Sequence, residues 1–239
     1  RSGTRFGPQF IRQTCYLPHD GSRPSLAMRV DGLKDLRVYD AGDVEMFSGD
    51  AARSVRDLQE AVHTVTASGA MPLILGGDHT IAWPDAAGVA QHLGEGRVSM
   101  IHFDAHADTG DIEFGSLIGH GQPMRRLIES GAVRGDKFLQ IGLRGYWPPP
   151  ETLDWMAHQL MRSYEMSEIV DRGLDECLTE SFAIATDDCD GLDKAKTRPR
   201  TDALTRRIGE LQELLFADAR RAVLMIFQGL DASGKDGAI

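Results

Sequence analysis

The residues best suited to chemistry lie in one short run, Asp-Ala-His-Ala-Asp at residues 104–108, which follows an apolar segment at residues 98–103. Side chains alternate between the two faces of an extended strand, so Asp104, His106 and Asp108 can all point the same way. Two carboxylates and one imidazole on one face make a site suited to Mn²⁺, Zn²⁺ or Fe²⁺. A lone Asp-x-His pair would instead indicate polar residues that are solvated or that cap the next helix.

A second strand-like run, residues 72–75, is followed by Gly-Gly-Asp-His at residues 76–79. It supplies His79 as a fourth candidate ligand, from a second strand end. Because two separate runs agree, we predict a metal site rather than solvated strand ends. Asp78 has two open interpretations: it orients an imidazole, or it caps the following helix.

The elements that must position these groups alternate between strands and helices. Apolar runs predict strands at residues 36–43, 72–75, 98–103, 137–143 and 160–164. Helical spacing or helix-start signals predict helices beginning within residues 5–12 and spanning 51–66, 81–93, 123–129, 151–159 and 166–185. This alternation predicts an α/β fold with a three-layer arrangement, a parallel sheet with helices on both faces. Catalytic groups then belong at the carboxyl ends of the strands, with an irregular loop at residues 109–119 nearby.

Composition excludes several functional classes. The net charge of -10 over 239 residues argues against a general nucleic-acid binder, which needs a basic face. No apolar run is long enough to span a bilayer, so we predict no membrane partner. The three cysteines are scattered and odd in number, which predicts a reducing cytoplasm rather than a disulfide framework.

Three clusters together resemble the ureohydrolases, the family of arginase and agmatinase, with agmatinase the nearest member. They are Gly-Gly-Asp-His at 76–79, Asp-x-His-x-Asp at 104–108 and His-Gly-Gln-Pro at 120–123, in matching order and spacing. The resemblance runs from about residue 1 to about residue 191. It implies an arginase-like fold, two Mn²⁺ ions in the family and one or two here, and a homo-oligomer. It also implies hydrolysis of the guanidinium group of agmatine or a related guanidino compound to urea and an amine.

The resemblance also implies a role for each site residue. His79, Asp104 and Asp108 would hold one metal ion, and Asp104 and His106 the other, with Asp104 as the bridge. His120 would be the catalytic proton shuttle, because an imidazole has the pKa range to protonate a leaving amine. His102 shares the face of Asp104 by alternation, but the family does not use it as a ligand, so we interpret it as structural.

The composition changes near residue 191. Residues 192–207 are rich in charge, 203–216 predict a helix, and 221–227 an apolar strand. A Gly-x-Asp-x-x-Gly-Lys loop follows at residues 229–235, and loops of this type bind phosphate through backbone N–H groups and a Lys charge. The candidate phosphate-binding residues are Gly229, Asp231, Gly234 and Lys235. Residues 192–239 resemble the start of a family-two polyphosphate kinase.

We therefore predict two domains, an incomplete ureohydrolase-like metal-binding domain at residues 1–191 and a polyphosphate-kinase-like fragment at 192–239. The hypothesis is a chimera of two unrelated proteins. The family pattern calls for a further strand with an Asp-x-Asp ligand pair; Asp188 and Asp190 follow a helix and are interpreted as a solvated turn. The expectation is a truncated, impaired hydrolase. The alternatives are a polyphosphate-dependent nucleotide phosphotransferase and a catalytically inactive metal-binding chain.

Overall fold

The computed structural model describes residues 3–14, 26, 29, 31, 37–146 and 148–186. These residues fall into two compact units, the main one with residues 3–8 and 44–186 and the smaller one with residues from 9–43. The predicted boundary near residue 191 lies outside the described residues and stays a prediction. The same holds for the phosphate-loop residues Gly229, Asp231, Gly234 and Lys235.

A parallel three-stranded sheet forms the centre of the main unit. Its strands are β1 (Val98–Phe103), β2 (Val133–Leu143) and β3 (Arg162–Glu165), in the order β1-β2-β3. The central strand β2 is buried over most of its length, as expected for a strand covered on both faces. The prediction at residues 98–103 is confirmed to the residue, and β2 begins four residues before its predicted start at Lys137.

Two of the predicted strands are wrong. The described part of the first, residues 37–43, and the whole of the second, residues 72–75, are irregular. Leu73 is 62% exposed and Val38 is 69% exposed, so neither apolar pattern is buried. A strand is held by hydrogen bonds to a neighbouring strand, and among the described residues neither segment has one. In the smaller unit, Arg12 instead binds residues 40–43 through ion pairs with Asp40 and Asp43.

The described part of the chain contains seven α-helices. They are α1 (Gly7–Gln13), α2 (Ala51–Ala67), α3 (Ala82–Leu93), α4 (Pro123–Glu129), α5 (Pro150–His158), α6 (Met166–Arg172) and α7 (Leu174–Thr186). The carboxylate of Asp50 accepts the Arg53 N–H and so caps α2. The predicted single helix at residues 166–185 is wrong, because Gly173 adopts a φ of 89° and separates α6 from α7. None of the described helices is long and apolar enough to cross a lipid bilayer.

Helices cover both faces of the sheet. On one face, Phe138 of β2 packs in a cluster with residues of α3 and α4. On the other face, Ile141 of β2 packs with Tyr164 of β3 and Cys177 of α7. The predicted fold class, an α/β parallel sheet with helices on both faces, is confirmed. This packing fixes the carboxyl end of β1, where the candidate ligands begin.

Helix α2 packs closely against α3 at Gly88. A Cβ added to Gly88 would lie 2.6 Å from the backbone oxygen of Gln59 and 2.8 Å from the Cβ of Val62. Both distances are below any ordinary contact, so only glycine permits this approach. This close packing holds the middle of α3 against α2, and α3 itself begins directly after the turn that carries His79.

Candidate metal centre

The candidate ligands stand where β1 ends. Asp104 follows the last residue of β1, and its backbone N–H still bonds to the Ile141 oxygen of β2 at 3.1 Å. The chain then bends at Ala105 and His106, and Asp108 has a left-handed φ of 48°. The Asp104 carboxylate stabilises this bend by accepting the His106 N–H at 2.9 Å. The run is therefore a strand end followed by a turn, and not the continuous extended strand that alternation assumed.

His79 enters from a different element, a single 3₁₀ turn at His79–Ile81 that leads into α3. The carboxylate of Asp78 accepts the Thr80 N–H at 3.0 Å, so it caps this turn. Of the two interpretations of Asp78, the structure shows the capping one. The cap sets where the turn begins and hence where the His79 side chain projects.

The four predicted ligand side chains lie close together, with Asp104 at their centre. His79 Nδ1 lies 4.0 Å from Asp104 Oδ2 and makes a short contact with Asp108 Oδ2. His106 Nδ1 lies 3.6 Å from the other oxygen, Asp104 Oδ1. His79, Asp104, His106 and Asp108 therefore stand as one cluster, while their roles as ligands remain predictions.

A fifth side chain, His102, joins the cluster. Its Nε2 lies 3.5 Å from Asp104 Oδ2, and its ring stacks on that of His79 with centroids 5.0 Å apart. Ligand atoms of His79, His102 and Asp104 all fall within 4.8 Å of one another, close enough to surround one ion. Sequence reasoning interpreted His102 as structural, although alternation had already placed it on the face of Asp104.

Burial and charge divide the cluster into an inner and an outer part. The side chains of His79, His102 and Asp104 are 6–7% exposed, whereas His106 is 41% exposed. Burial lowers the pKa of the His102 imidazole, because it disfavours the cation. Burial acts to raise the pKa of Asp104, but the facing His102 ring and the His106 N–H outweigh it, so this pKa lies below its ordinary value.

This donor set fits a divalent ion. Carboxylate oxygens and imidazole nitrogens are the ligands that Mn²⁺ and Zn²⁺ take in proteins. His102 Nε2 is buried without a hydrogen-bond partner and faces Asp104 Oδ2 at 3.5 Å. The buried carboxylate of Asp104, ionised and set between imidazoles on both of its oxygens, is an arrangement that a cation would stabilise.

His120 lies in the loop that follows the cluster. This loop returns to the cluster by two backbone hydrogen bonds, from Gly110 N to Gly121 O at 2.9 Å and from Met124 N to Asp108 O at 3.1 Å. His120 is half-buried. In the described part of the chain, no hydrogen bond or ion pair joins it to the four predicted ligands, so its role as proton shuttle stays a prediction.

Ion pairs tie the same loop to α4. Asp111 binds Arg126 at 2.9 Å and lies 3.6 Å from Arg125, whose guanidinium covers the ring of Trp155 at 4.5 Å. The buried Gln122 amide donates to the Ser116 oxygen at 2.8 Å. These contacts give an irregular segment a defined path beside the candidate centre.

A parallel α/β sheet that gathers imidazoles and carboxylates at a strand's carboxyl end defines a candidate metalloprotein. Residues 1–195 match the sequence model of the Arginase family. The chain is also 33% identical to the guanidinobutyrase of Pseudomonas aeruginosa, over 99% of its own length and 72% of that protein. The chain therefore belongs to the arginase family, and the predicted ureohydrolase membership is confirmed.

Two further similar proteins agree with membership of the arginase family. The mitochondrial agmatinase of Gallus gallus is 38% identical over 65% of the chain and 45% of its own length. The crystal structure of Trypanosoma cruzi formiminoglutamase with Mn²⁺ matches with a TM-score of 0.66 and 25% identity, over 77% of this chain and 60% of that one. The chain thus spans about half the length of the agmatinase and 60% of the solved structure.

Proposed function

We propose that this chain carries the metal centre of an amidinohydrolase acting on a small guanidino compound, such as agmatine or guanidinobutyrate. The products would be urea and an amine. The observation that supports this most directly is the buried Asp104 carboxylate with imidazoles facing both of its oxygens, at a strand end of an arginase-family fold. The substrate class follows from the guanidinobutyrase and agmatinase among the relatives.

The residues that would hold the metal are His79, Asp104, His106 and Asp108, and we propose Mn²⁺ as the ion. A pair of such ions, when bound, supplies Lewis acidity and a nucleophile from water near neutral pH. Asp104 would help to hold both ions, because His79 faces its Oδ2 and His106 faces its Oδ1.

In the reaction, the oxygen of water adds to the guanidinium carbon and the C–N bond to the alkyl nitrogen breaks. The two protons of the water end on the leaving nitrogen, so the products are urea and an alkylammonium ion, and we assign to His120 the transfer of one of these protons. Gly119 and Gly121 flank this residue, and the loop is held to Asp108 and α4 by the bonds described above. An imidazole is the side chain that most often transfers protons in catalysis.

We further propose that this chain, as given, releases little urea. The resemblance implies six metal ligands, and we find four of them in the 239 residues. One of the two ions would then be held weakly. The phosphotransferase alternative rests on residues 229–235 alone, which the structure does not describe. The homo-oligomer and the cytoplasmic location also stay predictions.

Metal content tests the centre directly. We expect the purified chain to bind Mn²⁺ and Asp104→Asn to lose it, because the amide keeps the shape of the side chain but removes its charge. Asp154→Asn, an exposed position on α5, is the matched control and should bind like the parent chain. Equal Mn²⁺ binding by the Asp104 variant would contradict the proposed centre.

Urea release tests the chemistry. Agmatine, guanidinobutyrate and arginine would each be incubated with the Mn²⁺-loaded chain and with Asp104→Asn. We expect slow release that depends on Asp104. Turnover near that of an intact family enzyme would contradict the proposed impairment, and release equal in the variant would contradict the site itself.

A further inference from the structure

A row of three polar side chains crosses the sheet beneath the metal centre. His102 of β1 is paired in register with Gln140 of β2, and Gln140 with Ser163 of β3. The Gln140 amide nitrogen lies 3.3 Å from His102 Nδ1, and its oxygen accepts the Ser163 hydroxyl at 3.2 Å. Gln140 is fully buried, so each of its polar atoms needs a partner within the protein.

The orientation of the Gln140 amide is determined by a third contact. Its nitrogen donates to the backbone oxygen of Ala107 at 2.7 Å. If the amide were turned over, its oxygen would meet that carbonyl oxygen, and two acceptors would face each other. The Ser163 hydroxyl donates to the amide oxygen on the other side, so both ends of the amide have a partner in this orientation.

This orientation decides which nitrogen of His102 carries the proton. The second N–H of the amide points at His102 Nδ1, so Nδ1 must accept and cannot carry a hydrogen. The neutral ring then has its hydrogen on Nε2, the atom that lies 3.5 Å from Asp104 Oδ2. A nitrogen that carries a hydrogen has no lone pair to offer to a metal ion.

We propose that His102 is a positioning residue for the metal centre rather than a metal ligand, and that Gln140 holds it in this role. The Nε2–H faces Asp104 Oδ2 across 3.5 Å, which is longer than an ordinary hydrogen bond, and its partial positive charge favours the carboxylate in its place between His79 and His106. The stacking of His102 on the His79 ring restrains a second candidate ligand from the same position. Groups that orient metal-binding carboxylates and imidazoles in this way commonly change metal affinity by about 10- to 100-fold when removed.

This inference rests on the proposed metal centre. The first experiment distinguishes a failure of the inference about His102 from a failure of the proposed centre. The full chain labelled with ¹⁵N-histidine would be studied by long-range ¹H–¹⁵N NMR correlation, which distinguishes a ring nitrogen that bears hydrogen from one that does not. The His102 signals are assigned by their absence from His102→Gln. Zn²⁺ serves as a diamagnetic probe of the loaded state.

We expect hydrogen on His102 Nε2 both in the metal-free chain and after Zn²⁺ is added. Hydrogen on Nδ1 in the metal-free chain, or loss of the Nε2 hydrogen on loading, would overturn the proposal and make His102 a ligand. A chain that binds neither Zn²⁺ nor Mn²⁺ would overturn the proposed function, while the metal-free spectrum would still decide the hydrogen position.

The second experiment tests Gln140 by substitution. Gln140→Met keeps the length of the side chain but removes the N–H that faces Nδ1, so we expect Mn²⁺ affinity to fall about 10-fold. Ser163→Ala is the matched control, because it removes a hydroxyl from the far end of the same row and leaves the Ala107 contact intact. Its affinity should stay within about threefold of the parent chain. Equal losses in both variants would overturn the assigned role of Gln140.

Discussion

Asp85 lies in the first turn of α3 and is only 3% exposed, and its Oδ1 has no hydrogen-bond partner in the described part of the protein. Burial raises the pKa of Asp85 to about 8, because the charged form loses its hydration. In the unfolded chain the same carboxyl has a pKa of about 4. Unfolding below pH 8 therefore releases a proton, so the free energy of unfolding falls as the pH rises from about 4 to about 8.

The size of the effect follows from this difference in pKa. Each pH unit between the two pKa values costs about 1.4 kcal/mol of stability, so the interval from pH 5 to pH 8 costs about 4 kcal/mol. The position of Asp85 in the first turn of a helix favours the anion by up to about 1 kcal/mol. We therefore expect Asp85→Asn, which cannot ionise, to gain about 3 kcal/mol relative to the parent chain over this interval.

Urea unfolding followed by circular dichroism at pH 5, 6.5 and 8 measures this gain. EDTA should be present throughout, since metal binding would itself stabilise the folded state. Asp154→Asn, at an exposed position, is the matched control and should show the pH dependence of the parent chain. A stability difference between Asp85→Asn and the parent chain that stays constant from pH 5 to pH 8 would refute the reasoning.

Three further predictions concern packing and the loop. Gly88→Ala should lower the free energy of unfolding by about 1–3 kcal/mol, despite the better helix propensity of Ala, because its Cβ would lie 2.6 Å from Gln59 O; no loss in urea unfolding would contradict this. Phe138→Ala should lower the free energy of unfolding by about 3–5 kcal/mol in the same assay. Phe114→Ala, at a fully exposed position, should lower it by less than about 0.5 kcal/mol. Similar losses in the two variants would contradict the placement of Phe138 in the buried core. Asp111→Asn should change global stability by less than about 1 kcal/mol but speed proteolysis within residues 109–121, and an unchanged cleavage rate would show that the ion pairs do not hold the loop.

The sequence predicted those elements whose own residues determine them. Strand β1 and helix α4 begin and end at the predicted residues, because an apolar run bounded by polar residues marks the first and a proline marks the start of the second. Residues 72–75 have an equally apolar pattern but no neighbouring strand among the described residues. A strand is a property of two segments, and the pattern of one segment does not reveal whether the other is present.

The candidate site shows the same limit. The sequence predicted that His79, Asp104, His106 and Asp108 would converge, but from two extended strand ends, whereas residues 72–75 are irregular and the chain turns after Asp104. The part played by Gln140 was not predictable, since it depends on the register between β1 and β2. The signal that could have drawn attention to it was a single amide in the otherwise apolar run at residues 138–143.

Cys177 lies in α7 at 0% exposure, packed with Ile141 and Tyr164 on the face of the sheet opposite α3 and α4. A thiol reagent reaches its sulfur only when α7 separates from the sheet, because the thiol must be exposed to react. The rate at which the Cys177 peptide becomes alkylated, followed by mass spectrometry, therefore measures how often α7 separates from the sheet. The same rate reports whether metal loading at the carboxyl end of β1, whose Phe103 packs against this cluster, slows the separation of α7 from the sheet.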